Sequence, residues 1–262
     1  MKKPKIIGII PARMASKRFP GKPLKEIYGI PMIGHVYYRT KMCLDLLEVF
    51  VATPDEDIKY YIKSIGGKVV LTTETPISST DRAVEALIKI ESAYNTHFDI
   101  IVIVQGDEPM ITNNMIATSI SPLIIDKNIQ VTNLMTEIAD KDEIEDPNAV
   151  KVVVDINNYA LYMSRSPIPF QKWGVSGLPV LKKVNVIAFK RDFLLEYAAM
   201  TPTPLEMVES IGMLRLLENG YKVKMVLSDQ YTVSVDTPKD LEIVKKLMKK
   251  DSIMLKYLTN KN

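Results

Sequence analysis

The sequence predicts an α/β fold: a mostly parallel sheet flanked by helices, with an inserted antiparallel lobe. Three observations carry that prediction. Short runs rich in Ile and Val recur through the first hundred residues, the runs are nearly continuous rather than alternating, and segments of helical period separate them. A strand covered by helices on both faces has no polar side, whereas one facing water alternates. The predicted strands are Ile6 to Ile10, Val49 to Thr53, Val69 to Thr72 and Ile100 to Gln105. Between the first two, Ile33, Val36, Tyr37, Thr40, Cys43, Leu44 and Leu47 fall at helical spacing. After the third, Thr80 is placed to cap a helix bearing Val84, Leu87, Ile88 and Glu91. Strand and helix in alternation give the α/β class.

From about residue 129 the pattern changes. Longer, more alternating strands are expected at Val150 to Asp155, Tyr159 to Met163 and Val184 to Lys190, interrupted by a stretch bearing Pro167, Pro169 and Pro179. This segment, about 129–190, reads as the inserted lobe. A helix from about Leu205 to Asn219 stopped by Gly220, a strand from Val223 to Leu227 and a last helix from about Pro238 to Lys250 return the chain to the α/β style. One domain over 1–262 fits better than two independent ones.

The 262 residues are 47% apolar, enough for a core burying roughly 70–75% of the unfolded surface. General disorder is excluded. Lys and Arg number 34 against 31 Asp and Glu, a net charge of +3, and only 7% of residues are aromatic. A nucleic-acid binder would need a broad basic face with interleaved aromatics, so no nucleic-acid partner is expected; anionic small ligands stay open. One cysteine, Cys43, excludes an intrachain disulfide, and two histidines, His35 and His97, exclude a His-rich metal site. A reducing compartment follows. The first apolar run is cut by Pro11 and Arg13, and no stretch approaches 18 apolar residues, so a soluble, cytoplasmic protein without membrane contact is expected. Cys43 and His35 lie in one helix and read as core or surface residues; Trp173, near Phe170, reads as an interface or lobe-core residue.

Three motifs can carry chemistry. The loop after the first strand, PARMASKRFPGKPL, places Arg13, Lys17, Arg18 and Lys22 at the carboxyl end of a buried parallel strand, where open α/β sheets bind ligands. Cations crowded there are costly unless an anion joins them, and N–H groups of a loop ending at Gly21 add donors for phosphate oxygens. Taken alone, this could equally be a solvated basic loop. The second motif, VIVQGDEPMI, delivers Gln105, Gly106, Asp107 and Glu108 to the same sheet edge, where a carboxylate could hold Mg²⁺ against a polyphosphate; a plain turn is the alternative. In the third, VSVDTPKDLEIV, Asp236 ends a strand and Thr237-Pro238 open a helix, which also fits an N-cap with Pro at N1.

Together these motifs resemble a known family. PARMASKRFPGKPL, SSTDR (78–82), QGDEPMI, DPNAVKVVVD (146–155), SRSPIP (164–169), PLEMVE (204–209) and VDTPKDLE (235–242) stand in the order and spacing of the 3-deoxy-manno-octulosonate (Kdo) cytidylyltransferases, or CMP-Kdo synthetases. The resemblance implies a nucleotidyltransferase (GT-A-like) fold and an enzyme of lipopolysaccharide biosynthesis that couples CTP to an acidic sugar. It also implies Mg²⁺ and a homodimer joined through the 129–190 lobe, which would help bind the acceptor. By that resemblance Arg13 and Lys22 hold the triphosphate, Asp107 and Asp236 hold the metal, and Ser79, Thr80 and Arg82 bind nucleotide. Gln105 would contact both substrates. Arg165, Lys183, Glu206 and Glu209 would line the acid-sugar pocket, although Glu206 and Glu209 could instead complement a helix dipole.

Three positions depart from the family. Lys183 stands where a histidine is common, Gly212 replaces a third acid in PLEMVESIGMLR, and Ser79 replaces a glycine. The first two imply a more positive and roomier acceptor pocket, and the third implies strain if that backbone needs positive φ. The alternatives are CMP transfer to another anionic acceptor (a nonulosonic acid, amino-Kdo or a phosphonate) and a non-catalytic nucleotide-binding subunit. Retention of Asp107 and Asp236 counts against the latter.

Overall fold

The computed structural model describes residues 3–16, 18–75, 78–170 and 178–258. The first half runs β1 (Ile6–Pro11), the ribbon β2 (Glu26–Ile27) and β3 (Ile30–Pro31), α1 (Met32–Lys41), β4 (Glu48–Thr53), α2 (Glu56–Ser64), β5 (Lys68–Leu71), α3 (Ser79–Tyr94) and β6 (Ile100–Val104). It continues with α4 (Asn113–Ile125), β7 (Val131–Glu137), α5 (Lys141–Glu145), β8 (Lys151–Val154), β9 (Ala160–Ser164) and β10 (Leu181–Lys190). The chain then forms α6 (Arg191–Ala199), α7 (Pro204–Glu209), α8 (Met213–Glu218), β11 (Lys224–Ser228), α9 (Pro238–Met248) and α10 (Ser252–Leu258).

The main sheet has the order β11-β7-β10-β6-β1-β4-β5. β1 pairs parallel with β4 and β6, β4 with β5, and β7 with β11; β10 alone on this path runs antiparallel to both neighbours. The sheet is therefore mixed but mostly parallel, as expected. Its central strands β1 and β6 are apolar on both faces: Ile7 and Ile9 of β1 enter one core, Ile6 and Ile10 the other, and β6 divides in the same way. Each such Ile contributes roughly 1.5–3 kcal/mol by leaving water. A third core joins the β2–β3 ribbon to α9 and α10 through Ile27, Ile30, Val244 and Tyr257.

The segment 129–190 divides between two places. β7 and β10 join the main sheet, and the antiparallel β8–β9 hairpin attaches to β10 off the main path. β7 was not foreseen, nor were the β2–β3 ribbon and helices α2, α4, α5, α6 and α10.

Several local expectations are corrected. α1 stops at Lys41, so Leu44 and Leu47 are exposed rather than on its buried face. The cap of α3 is Ser78, not Thr80: Ser78 Oγ accepts from Asp81 N at 3.1 Å, and the Asp81 carboxylate accepts from Ser78 N at 3.0 Å. This reciprocal capping box satisfies two donors at once. The single helix expected from Leu205 to Asn219 is two, because Ser210 takes a left-handed conformation (φ 54°) that ends α7 and turns Ile211 into the core. Ser79 is the first residue of α3, with helical backbone and no positive φ, so the strain expected there is absent.

Candidate active site

The carboxyl ends of β1 and β6 lie side by side and carry their loops to one place. Gly106 N donates to Pro11 O at 3.3 Å, and a Cβ on Gly106 would lie 3.1 Å from that carbonyl. Glycine favours this close approach, since a side chain at 106 would crowd the Pro11 carbonyl and Ile33. The basic loop leaving β1 is anchored by Met14 N to Asp55 Oδ2 (2.8 Å), and Gly21 (φ 71°) turns it into the short helical turn that starts at Lys22. On the other side, Val235 N donates to Asp107 O at 2.9 Å, fixing the segment that carries Asp236; the strand expected to end at Asp236 is not formed, residues 231–236 being irregular between β11 and α9.

These contacts bring Lys22, Asp107 and Asp236 together. The Lys22 ammonium donates to Asp107 Oδ2 (2.9 Å), Asp236 Oδ1 (3.2 Å) and Val235 O (2.8 Å). Burial would lower its pKa, but the two carboxylates outweigh burial and hold it above the ordinary lysine value. Arg18 also reaches Asp236 Oδ1, at 2.8 Å, and donates to the side-chain oxygen of Asn148. The Arg13 guanidinium has no carboxylate or hydrogen-bond partner among the described residues, although it faces the same cleft.

That cleft is open, about 820 Å³, and most of the expected nucleotide and metal residues line it: Arg13, Lys22, Ser79, Arg82, Asp107 and Asp236, together with Gln105. Arg82 is buried and donates to Thr73 O (2.9 Å) and to the Thr72 hydroxyl; burial and the nearby Arg13 lower its pKa. Thr80 is buried within α3 and is not part of the cleft wall. Arg18, expected in the cationic loop but given no role there, also lines the cleft, as do Ser16, Ser78 and Ser210, which were not among the expected site residues; Lys17 of the same loop lies outside the described residues. The basic loop and SSTDR contained the signal for the first three. Ser210 depended on the unforeseen helix break.

A divalent cation fits the carboxylate pair. Asp107 Oδ1 is buried without a hydrogen-bond donor among the described residues, while Asp107 Oδ2 and Asp236 Oδ1 converge on one ammonium. Two hard oxygen donors with an open lone pair suit an ion that keeps several waters.

The expected acceptor residues are distributed differently. Glu209 accepts from Ser164 Oγ (2.7 Å), Arg165 N (2.9 Å) and Tyr162 Oη (3.4 Å). Burial would raise its pKa, but these donors hold it below the usual carboxylate range. The Arg165 side chain donates to the carbonyls of Glu209, Pro147 and Ser210. Glu206 is committed elsewhere: both its oxygens take donors from Arg215 at 2.7 Å, and Oε2 also accepts from Thr203 N at 3.2 Å. Its expected contact with sugar hydroxyls is thus replaced by a buried ion pair and a helix cap. Gly212 does not make the pocket roomier, because a Cβ there would meet Tyr197 Oη at 2.8 Å. Lys183 lies in a separate chamber of about 60 Å³ that shares Asp236 with the cleft. Glu108, fully buried beside Asp107, accepts from Asn185 N (3.1 Å), Thr232 Oγ1 (3.2 Å) and the Ser234 hydroxyl; burial and the Asp107 charge raise its pKa.

Comparison with known proteins agrees with this geometry. The sequence profile of the cytidylyltransferase family matches residues 7–226. The chain is 44% identical over 254 residues to the 3-deoxy-manno-octulosonate cytidylyltransferase of Geobacter metallireducens, covering 93% of this chain and 98% of that one. It is 39% identical over 247 residues to the mitochondrial 3-deoxy-manno-octulosonate cytidylyltransferase of Arabidopsis thaliana, covering 94% and 83%. A solved structure of CMP:2-keto-3-deoxy-manno-octonic acid synthetase complexed with CTP superposes with a TM-score of 0.82 at 38% identity, covering 93% of this chain and 98% of that one. With sequence, fold and site in agreement, the chain belongs to the cytidylyltransferase family, among the 3-deoxy-manno-octulosonate cytidylyltransferases.

Proposed function

We propose that the protein couples CTP to Kdo, giving CMP-Kdo and pyrophosphate. The observation that carries this reading is the convergence of Lys22, Asp107 and Asp236 in a cation-rich cleft, in a chain 44% identical to a named Kdo cytidylyltransferase. The anomeric hydroxyl attacks the α-phosphorus in line: a bond forms from the sugar oxygen to phosphorus, the bond from phosphorus to the β-phosphate oxygen breaks, and the hydroxyl proton passes to solvent. Negative charge then spreads over the α-phosphate and the departing pyrophosphate, so positioning and electrostatics supply most of the catalysis.

Arg13, without a hydrogen-bond or carboxylate partner among the described residues, and Lys22 are assigned to the triphosphate. Ser79, Arg82 and Gln105 are assigned to nucleotide, with Gln105 also facing the acceptor. Asp107 and Asp236 would hold Mg²⁺, which when bound neutralises triphosphate charge. Arg165 and Glu209 shape the acceptor side. A pyrophosphate-release assay with CTP, Mg²⁺ and a panel of acid sugars tests the reading. Release that requires Kdo supports it, and no release with Kdo rejects it.

A second reading, CMP transfer to a different anionic acceptor, is favoured by Lys183 in place of the family's histidine; the same panel distinguishes the two.

We also propose a homodimer joined through the 129–190 lobe. Leu161 on β9, Phe170 and, on α7, Met207 and Val208 are exposed apolar residues that suit such a contact. Trp173, expected at this interface, lies outside the described residues. A monomer by light scattering at micromolar concentration rejects the dimer. Among the described residues no helix is long and apolar enough to cross a membrane, and the buried free thiol of Cys43 suits a reducing compartment, which supports the cytoplasm as the location.

A further inference from the structure

β10 bulges where it passes the cleft. Its pairing with β7 runs Lys183↔Met135 and then Ile187↔Asn133, so four steps on β10 face two on β7. The buried side-chain amide of Asn133 holds the bulge by donating to the carbonyls of Val184 (2.7 Å) and Val186 (3.0 Å). Bulges re-aim side chains and are common beside active sites. Here Val184 and Val186 enter the core, while Lys183 and Asn185 line the chamber that opens beside Asp236.

The charges around that chamber are nearly all partnered. Glu143 pairs with Lys182, and Asp240 accepts from the N–H groups of Asp236 and Thr237. Glu108 has its three donors, and Asp236 has Arg18 and Lys22. Lys183 is the exception: its ammonium donates to Asn185 Oδ1 at 2.5 Å and makes no ion-pair contact with a carboxylate among the described residues, although Glu108 and Asp107 lie near enough to favour its charged form against burial. An ammonium carries three N–H donors, so two are unused. Arg165, which the resemblance assigns to the acid-sugar pocket, spends three of its five N–H donors on carbonyls, Nε on Glu209 O (2.6 Å), Nη1 on Pro147 O (2.7 Å) and Nη2 on Ser210 O (3.3 Å), so its guanidinium is pinned between two segments, whereas the Lys183 ammonium makes one contact, to its neighbour Asn185.

We propose that Lys183, steadied by Asn185, receives the carboxylate of the acid acceptor, and that Arg165 is a positioning residue clamping the segments at Pro147 and Ser210. This rests on the acceptor reading above. A half-buried ammonium with donors to spare selects for negative charge, whereas a neutral ester of the same sugar leaves those donors unpaired.

The test is pyrophosphate release with Kdo and with Kdo methyl ester at saturating CTP and Mg²⁺. Wild type should prefer the acid in kcat/KM by about 100-fold. Lys183→Met should bring that preference to within about threefold, with the loss falling on acceptor KM and not on the KM for CTP. Lys183→Gln, which keeps a donor for Asn185, should do the same and guards against a folding defect. Arg165→Gln should slow both substrates in proportion and leave the ratio unchanged. A wild-type ratio near one, or a full ratio retained in either Lys183 variant, overturns the assignment. Absence of wild-type turnover with Kdo instead overturns the acceptor reading, and the assignment falls with it.

Discussion

The Lys22 ammonium lies 2.9 Å from Asp107 Oδ2, although the two residues are 85 positions apart in the chain. Asp236 Oδ1 lies 3.2 Å from the same nitrogen, so one cation offsets two carboxylates that would otherwise repel. The arrangement keeps a pair of hard oxygen donors close together before substrate arrives, and it makes the three residues separable by experiment.

Asp107→Asn and Asp236→Asn should each reduce kcat by far more than tenfold at saturating Mg²⁺ while circular dichroism stays native. Each change removes an anionic ligand from the proposed metal site. Retention of over a tenth of wild-type turnover, a loss below about 1.4 kcal/mol in barrier, would remove that residue from the metal assignment.

Lys22→Ala should weaken CTP by at least about tenfold more than CMP in calorimetry, since a cation on the outer phosphates has no partner in the monophosphate. Equal weakening of both nucleotides would move Lys22 away from the pyrophosphate end.

Glu206→Gln should destabilise the fold by about 3–5 kcal/mol in urea, because it leaves the buried Arg215 without its carboxylate. Acceptor KM should stay within about twofold for the folded fraction. A large rise in acceptor KM at unchanged stability would restore Glu206 to the sugar pocket.

Gly212→Ala should cost about 1–3 kcal/mol, since its Cβ would sit 2.8 Å from Tyr197 Oη. Tyr197→Phe in the same chain should recover part of that loss by removing the clashing oxygen, at the expense of the Tyr197 bond to Gly212 O. No recovery in the double variant would place the strain elsewhere.

His35 should make stability fall in mild acid. It is fully buried, with Nε2 donating to Ile27 O and Nδ1 accepting from Tyr257 Oη, and burial lowers its pKa to about 4. The unfolded chain binds that proton near pH 6.5, so between about 6.5 and 4 it holds more protons than the native state and stability rises with pH. His35→Gln should therefore lose about 2–3 kcal/mol less than wild type between pH 7 and 4.5 in urea titrations. Parallel losses would show that His35 does not titrate differently on folding.

Much of this protein was legible along the chain. The continuous apolar runs identified β1, β4, β5 and β6 because burial on both faces leaves a local pattern, and seven short motifs in register located the cleft residues Arg13, Lys22, Asp107 and Asp236. β7 escaped because its polar Thr132, Asn133 and Thr136 mask a strand that is buried nonetheless. The helix break at Ser210 escaped because the conformation is compelled by neighbours, Arg165 on its carbonyl and the core around Ile211.

What only the tertiary structure decided is how each charged group is used. Glu206 and Glu209 stand three residues apart in one motif, yet Arg215 claims the first while Ser164 and the Arg165 backbone claim the second. Lys182 and Lys183 are adjacent, yet one is neutralised by Glu143 and the other is left with donors to spare. A residue's own chemistry and its spacing are properties of the sequence. Its partners and its access to solvent are set by segments distant along the chain, and for a charge in a low-dielectric site those partners determine whether it holds the fold or meets a substrate.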